Sequence, residues 1–240
     1  MKIKNVLVSQ PKPAEVEKSP YYILARKYKV SIDFHKFIRI EGVKAVDFRK
    51  DRIAILDHTA VIFTSRNAVD HFFRLSKEMR AEIPDTMKYF CVSEAIAFYL
   101  QKYVQYRKRK IFYGRQNFDQ LLEIIVKHKS EYFLLPSSDV SEKDLSVVLD
   151  ENNIKHSKAV MYQTVANDLS DVDIDKYDLL VLFSPSGVKS LVSNFPNYKQ
   201  GEALISAFGP STCKAVEEAG LKLSIKAPTK TAPSMTMALE

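Results

Sequence analysis

Small polar residues follow apolar runs at four places in the chain, where the pattern predicts that a strand ends and a helix begins. These junctions are residues 64–67, 93–94, 184–187 and 209–212. Hydroxyl groups and the unpaired amides of a helix N-terminus attract carboxylates and phosphates. A single junction is also explained by a helix N-cap that needs no ligand. Four of them together favour the binding of an anionic molecule.

The residues that we expect to contact this ligand are small, hydroxylated or cationic. They are Thr64, Ser65, Arg66, Ser93, Ser184, Ser186, Gly187, Gly209, Pro210, Ser211 and Thr212. In the last junction Pro210 suits the first position of a helix, and Gly209 can serve as its N-cap.

One tyrosine is a candidate for acid catalysis. Tyr162 lies in "AVMYQT", within a long predicted strand, and its hydroxyl could donate a proton to a reacting group. The alternative is a half-buried strand tyrosine with no chemical role. No glycine-rich nucleotide loop and no Gly-x-Ser-x-Gly motif occurs in the sequence.

The histidines and cysteines do not indicate a metal site. The five histidines are scattered and are interpreted as surface or element-end residues. The two cysteines, Cys91 and Cys213, are interpreted as buried free thiols of a reducing cytosol. We therefore expect no cofactor, no metal and a cytoplasmic protein.

Strands and helices that position these residues alternate almost from end to end. The short apolar strands are typical of parallel sheets buried on both faces, so the predicted class is α/β. The predicted strands are residues 3–9, 31–40, 60–64, 88–92, 110–113, 132–135, 154–164, 179–183, 203–208 and 222–226.

Two of the strand patterns, residues 30–40 and 154–165, exceed the usual length of about five or six residues. Strands of this length could leave one sheet and connect two domains. The chain would then form one α/β lobe from both ends, residues 1–35 with 167–240, and an inserted α/β lobe, residues 41–161. Residues 36–40 and 162–166 would be a two-stranded connector, with the active-site cleft between the lobes.

An internal repeat supports this division. "IFTSRNAVDHF", which starts at residue 62, resembles "LFSPSGVKSL", which starts at residue 182, with Ser65 and Ser184 in the same place. "KYFCVSEAIAFYL" aligns more loosely with "ISAFGPSTCKAV". Two copies this far apart indicate two similar lobes and not a solenoid.

The formal net charge of +7 suggests an anionic partner. The run "KYVQYRKRKIFYGR", residues 102–115, has six basic residues and interleaved tyrosines, as single-strand nucleic-acid sites can have. The alternative is a solvated helix end and loop, and no nucleic-acid motif supports the first interpretation. No segment approaches the about 20 apolar residues that a membrane span needs, and the N-terminus is interpreted as a first strand and not a signal peptide.

Four segments, in this order, resemble the uroporphyrinogen-III synthase family: "VIFTSRNAV", "AVMYQT", "LFSPSGV" and "AFGPSTCKAVEEAGLKLSIKAPTKTAPSMTMAL". The resemblance implies two α/β lobes joined by a two-stranded connector. It implies a monomeric lyase without cofactor, which acts on the linear tetrapyrrole hydroxymethylbilane, a polycarboxylate. The enzyme closes the ring with inversion of ring D, releases water and forms uroporphyrinogen III, in tetrapyrrole and haem biosynthesis.

The resemblance also implies roles for single residues. Tyr162 matches a tyrosine proposed to assist departure of the substrate hydroxyl, and Thr212 matches the threonine of the last turn. Ser65 and Ser184 match the serines of the paired strand ends. Nucleic acid and membranes are not expected as partners.

Two positions depart from the family pattern. Gln10 stands where an arginine is common, and "CVSEA" has Cys91 for a glycine and Glu94 for a threonine. Glu94 would repel an anionic substrate if its carboxylate pointed inward. A non-catalytic relative that binds a tetrapyrrole or another anionic ligand as a two-lobe sensor is therefore the alternative.

Overall fold

The computed structural model describes residues 3–115, 118–140 and 145–240. The chain divides into two compact units. The terminal unit comprises Met1–Arg39 with Val165–Glu240, and the central unit comprises Ile40–Thr164. No helix among the described residues is both long enough and apolar enough to cross a membrane.

The strands are short, and most lie in the predicted apolar runs. In chain order they are β1 (Asn5–Val8), β2 (Ser31–Phe34), β3 (Ile38–Gly42), β4 (Ala60–Phe63), β5 (Lys88–Cys91), β6 (Ile111–Tyr113), β7 (Phe133–Ser138), β8 (His156–Ala166), β9 (Leu179–Leu182), β10 (Leu204–Phe208) and β11 (Ile225–Ala227).

The α-helices alternate with these strands. They are α1 (Pro20–Tyr28), α2 (Ala45–Phe48), α3 (Arg66–Glu78), α4 (Glu94–Leu100), α5 (Phe118–Val126), α6 (Leu145–Glu151), α7 (Pro185–Asn194), α8 (Pro210–Glu218) and α9 (Met235–Ala238). Short 3-10 helices cover Val16–Lys18, Arg49–Asp51, Ile55–Asp57 and Ile174–Lys176.

Each unit is built on a predominantly parallel sheet. The strand order is β11-β10-β9-β1-β2 in the five-stranded sheet and β3-β8-β7-β4-β5-β6 in the six-stranded sheet. The pairs from β11 to β2, and those from β8 to β6, are parallel. The α/β class with parallel sheets, predicted from the sequence, is confirmed.

Helices cover both faces of each sheet, which explains why the strands are apolar throughout. In β4, Val61 and Phe63 pack with α3 and α4, whereas Ala60 and Ile62 pack with α5 on the other face. In the terminal unit the residues of β9 alternate in the same way between two core clusters. A strand buried on both faces needs an apolar residue at every position, not at every second one.

The first long strand predicted from the sequence, residues 30–40, is wrong as a single element. The chain leaves the extended pairing between β2 and β3, and Phe37 is buried in the core of the terminal unit. The Phe37 carbonyl accepts hydrogen bonds from the Asn167 amide at 2.8 Å and the Ser190 hydroxyl at 2.5 Å. Burial of this large side chain outweighs the local preference for a continuous strand. The second long strand is present as the 11-residue β8.

Candidate functional site

In the central unit, Ser65 caps the helix that follows β4. Its backbone is extended (φ −155°, ψ 165°), and its Oγ accepts a hydrogen bond from the Ala68 amide at 3.1 Å. Thr64 precedes it, and Arg66 is the first residue of α3. The Arg66 guanidinium lies 5.4 Å from the centre of the Tyr99 ring, a cation–π contact that holds the side chain beside the helix N-terminus.

In the terminal unit, Ser184 repeats this arrangement after β9. Its backbone has φ −155° and ψ 154°, and its Oγ accepts from the Gly187 amide at 3.1 Å. Ser186 lies in the same first turn of α7. A Cβ added to Gly187 would lie 3.4 Å from the Ser184 oxygen, which is ordinary contact. The repeat seen in the sequence is therefore a repeat of one capping geometry.

The second pair of junctions is less alike. Gly209 precedes α8 with φ 89°, a left-handed conformation that disfavours any side chain, and Pro210 takes the first helical position, as expected. Ser211 is exposed, whereas Thr212 is only 1% exposed. Ser93 precedes α4 with an extended backbone and makes no side-chain cap hydrogen bond. Residue type at the turn thus changes the geometry of the helix start.

Tyr162, on β8, meets the Ser65 junction within the central unit. Its hydroxyl is 3.2 Å from the Ser65 Oγ, and the side chain is 7% exposed. The His71 ring is stacked on the Tyr162 ring, with centroids 5.2 Å apart and planes at 18°. Tyr162 is therefore held on one side by a hydroxyl and on one face by an imidazole.

Arg74, on the same helix, orients the His71 ring. The Arg74 Nε donates to His71 Nδ1 at 3.2 Å, and Nη2 donates to the carbonyls of Val43 at 2.8 Å and Met161 at 3.3 Å. Burial, and then the positive charge of Arg74, lower the pKa of His71. The imidazole is thus neutral near pH 7, with its proton on Nε2.

Sequence reasoning interpreted His71 as a surface or element-end residue and did not single out Arg74. For His71 this was wrong, since it lies within α3 and its ring stacks on Tyr162. The available signal was their spacing of three positions, which places both on one face of a helix. His58 was expected to be a surface or element-end residue. It ends a 3-10 helix but is only 3% exposed, and its Nδ1 binds the Ala54 carbonyl at 2.9 Å.

The divergent turn at residues 91–95 has a structural explanation for both of its unusual residues. Cys91 is buried at the end of β5, and burial raises the pKa of its thiol to about 12. Glu94 is exposed at the first position of α4, where a carboxylate is favoured by the helix dipole. The Tyr113 hydroxyl donates to the Glu94 Oε1 at 3.2 Å. Cys213 is partly buried, less than the sequence predicted.

No group of three or more His, Cys, Asp or Glu side chains in the described part of the chain is placed to hold a metal ion. The geometry offers a hydroxyl-capped helix start directly after β4, at Ser65, and another directly after β9, at Ser184, with a tyrosine hydroxyl joined to the first. Such groups can bind carboxylates and move a proton.

Comparison with known proteins identifies similar chains. A family model described as uroporphyrinogen-III synthase HemD matches residues 32–237. The uroporphyrinogen-III synthetase of Helicobacter pylori is 17% identical over 99% of this chain and 97% of that chain, with a TM-score of 0.60. A mutant uroporphyrinogen III synthase of Thermus thermophilus is 14% identical over 98% of this chain and 97% of that chain, with a TM-score of 0.48. No curated protein matches the chain.

Proposed function

The chain belongs to the uroporphyrinogen-III synthase family, and we propose that it converts hydroxymethylbilane into uroporphyrinogen III. The observation that carries the proposal is the family match over residues 32–237. Ring closure with loss of water makes the reaction that of a cyclising hydro-lyase. We propose that the enzyme acts as a cytoplasmic monomer without cofactor, and the two free cysteines are consistent with a reducing compartment.

We propose that Tyr162 donates the proton that leaves with the hydroxyl of the substrate. The Ser65 Oγ accepts from the Ala68 amide at 3.1 Å and can in turn donate to the Tyr162 oxygen at 3.2 Å. This chain of hydrogen bonds starts at the positive end of α3. It would stabilise the phenolate that forms when Tyr162 gives up its proton, because each donor polarises the next.

We propose that the junction residues bind the carboxylates of the substrate. In the central unit these are Thr64, Ser65, Arg66 and Ser93; in the terminal unit they are Ser184, Ser186, Gly187, Gly209, Pro210, Ser211 and Thr212. Helix N-termini attract anions through the amides of the first turn and the helix dipole, which supports this role. Because Thr212 is buried, we assign its contribution to the shape of the α8 first turn and to its backbone amide.

We propose that residues 36–40 and 162–166 form a connector between two lobes. One lobe comprises residues 1–35 and 167–240, and the other comprises residues 41–161. The unit boundaries at Arg39/Ile40 and Thr164/Val165 support this assignment. The Glu94 carboxylate keeps its charge, and the Tyr113 hydroxyl donates to one of its oxygens at the exposed start of α4.

The test supplies hydroxymethylbilane and separates the type I and type III isomers of the product. Spontaneous closure gives type I, so enrichment of type III over the blank is expected. Tyr162→Phe should slow turnover by about 10²–10⁴-fold, the usual effect of losing a general acid. Tyr132→Phe is the matched control, because its hydroxyl also bonds a serine of β8, Ser157, at 2.7 Å.

Product without excess type III would favour a sensor that binds the tetrapyrrole and does not cyclise it. If type III forms but Tyr162→Phe and Tyr132→Phe are equally active, the proton-donor role of Tyr162 is wrong while the synthase assignment stands.

A further inference from the structure

The central unit has a pocket of about 310 Å³ at the edge of the sheet where β5 and β6 begin. Its lining includes Phe73, Met87, Tyr89, Tyr103, Arg107 and Lys110. The proposed synthase residues of this unit, Thr64 to Arg66 and Ser93, follow the opposite, carboxyl ends of β4 and β5. The pocket is therefore separate from the proposed site.

The inner wall of the pocket is aromatic and rigid. The rings of Phe73 and Tyr103 are stacked, with centroids 4.5 Å apart and planes at 5°, and Tyr89 lies 6.3 Å from Phe73. The Tyr103 hydroxyl donates to Asp70, which fixes the ring. Burial, and then the charge of Asp85, raise the pKa of Tyr89 to about 12, so its ring stays a neutral phenol. Flat aromatic groups pack well on such walls.

The rim of the pocket is cationic. Arg107 and Lys110 begin and end one turn, closed by a hydrogen bond from the Lys110 amide to the Arg107 carbonyl at 2.9 Å. The Arg107 Nη1 lies 3.7 Å from the Asp85 carboxylate; the Arg107 side chain is half exposed and that of Asp85 is almost fully exposed. An ion pair this long and this exposed contributes little, so the guanidinium can exchange Asp85 for an anionic ligand.

We propose that this pocket binds a small aromatic monoanion, a carboxylate or sulfonate on one or two fused rings. The volume is at the small end of the range of about 300–1,000 Å³ for ligand pockets. Asp85 on the rim disfavours a second negative charge. The basic run at residues 102–115 is thereby given a role other than nucleic-acid binding: Arg107 and Lys110 line the pocket, and Lys102 pairs with Asp70 at 3.4 Å.

The probe is 8-anilinonaphthalene-1-sulfonate, whose fluorescence rises when it leaves water, compared with the uncharged N-phenyl-1-naphthylamine. Wild-type protein should bind the sulfonate saturably and more tightly than the amine. Arg107→Gln/Lys110→Gln should weaken binding at least about fivefold through loss of two charged contacts. Lys108→Gln/Arg109→Gln is the matched control, with the same loss of charge in the same run, and should change binding less than twofold.

Asp85→Asn should tighten binding of the sulfonate about twofold or more, because it removes the competitor of the ligand for Arg107. Partial unfolding also increases binding of this dye, so an unchanged near-UV circular dichroism spectrum and urea midpoint must accompany the gain, and a gain with a lowered midpoint would count against the proposal. Three outcomes would overturn the proposal. They are no saturable binding of the sulfonate, an equal loss of affinity in the two double variants, and displacement of the probe more readily by a thymidine oligomer than by naphthalene-1-sulfonate. No enzyme activity is measured, so the result is independent of the proposed function.

Discussion

One added methyl group at Gly42 tests whether Arg74 ties together the strands beside Tyr162. A Cβ at Gly42, the last residue of β3, would lie 2.6 Å from the Arg74 Cζ and Nη2. Real Cβ atoms do not approach other atoms so closely, so the guanidinium must move. Gly42 does not have a left-handed backbone, and Gly42→Ala therefore acts through Arg74 and not through backbone strain.

The cost follows from the contacts that Arg74 would lose. Its guanidinium donates to the carbonyls of Val43 and Met161 and to the His71 Nδ1, and a hydrogen bond to a charged group contributes about 1.5–3 kcal/mol. The Arg74 side chain is 31% exposed, so water replaces part of each bond. We expect Gly42→Ala to lower the free energy of unfolding by about 1–2 kcal/mol.

The assay is urea unfolding followed by circular dichroism, applied to Gly42→Ala, Arg74→Ala and the double variant. In the Arg74→Ala background the methyl group has no guanidinium to displace, so the second substitution should be nearly neutral. The cycle should then give a coupling energy of about 1 kcal/mol or more. Additivity within about 0.5 kcal/mol, the usual result for independent sites, would refute the reasoning.

Two further substitutions test local features. Burial lowers the pKa of His58, so the folded state binds its proton less well than the unfolded chain. The contribution of His58 to stability is therefore present above about pH 6.5 and falls as the pH drops toward the pKa of the folded state. In urea unfolding, the free energy of unfolding should decrease less between pH 7 and pH 5 for His58→Asn than for the wild type. An equal decrease in the two proteins would contradict this. Gly209→Ala should lower the free energy of unfolding by about 1–3 kcal/mol, because the Gly209 backbone (φ 89°, ψ 147°) lies near a region open to glycine almost alone. Gly187→Ala is the control, since its added Cβ makes only ordinary contact. Equal losses of stability in thermal unfolding would count against the strain argument.

Much of the fold was predictable because apolar runs and turn residues act locally. The alternation of strands and helices, the parallel sheets and the helix starts after β4 and β9 follow from residue type and spacing. Gly209 and Pro210 predicted a helix start because one tolerates φ 89° and the other cannot donate an amide hydrogen. The break between β2 and β3 was not predictable in this way, since it depends on burial of Phe37 among distant residues.

The candidate site was predictable only in its separate parts. Residue type alone identified Ser65 and Tyr162 as groups able to bind an anion or donate a proton, but their positions in the chain are 97 residues apart. Their contact at 3.2 Å depends on β4 and β8 both lying beside β7 in one sheet. The lowered pKa of His71 beside Tyr162 depends likewise on burial and then on the charge of Arg74, whose guanidinium binds carbonyls of two other segments.

The sequence by itself determined the class of fold, the helix caps and the family, because these depend on patterns within short segments or on their order. Only the tertiary structure decided which hydroxyls meet, at which histidines burial lowers the pKa, and where the basic run lies. Those properties arise from burial and from contacts between residues far apart in the chain. The free energy of such contacts depends on distance and solvent exposure, and a local sequence pattern determines neither of them.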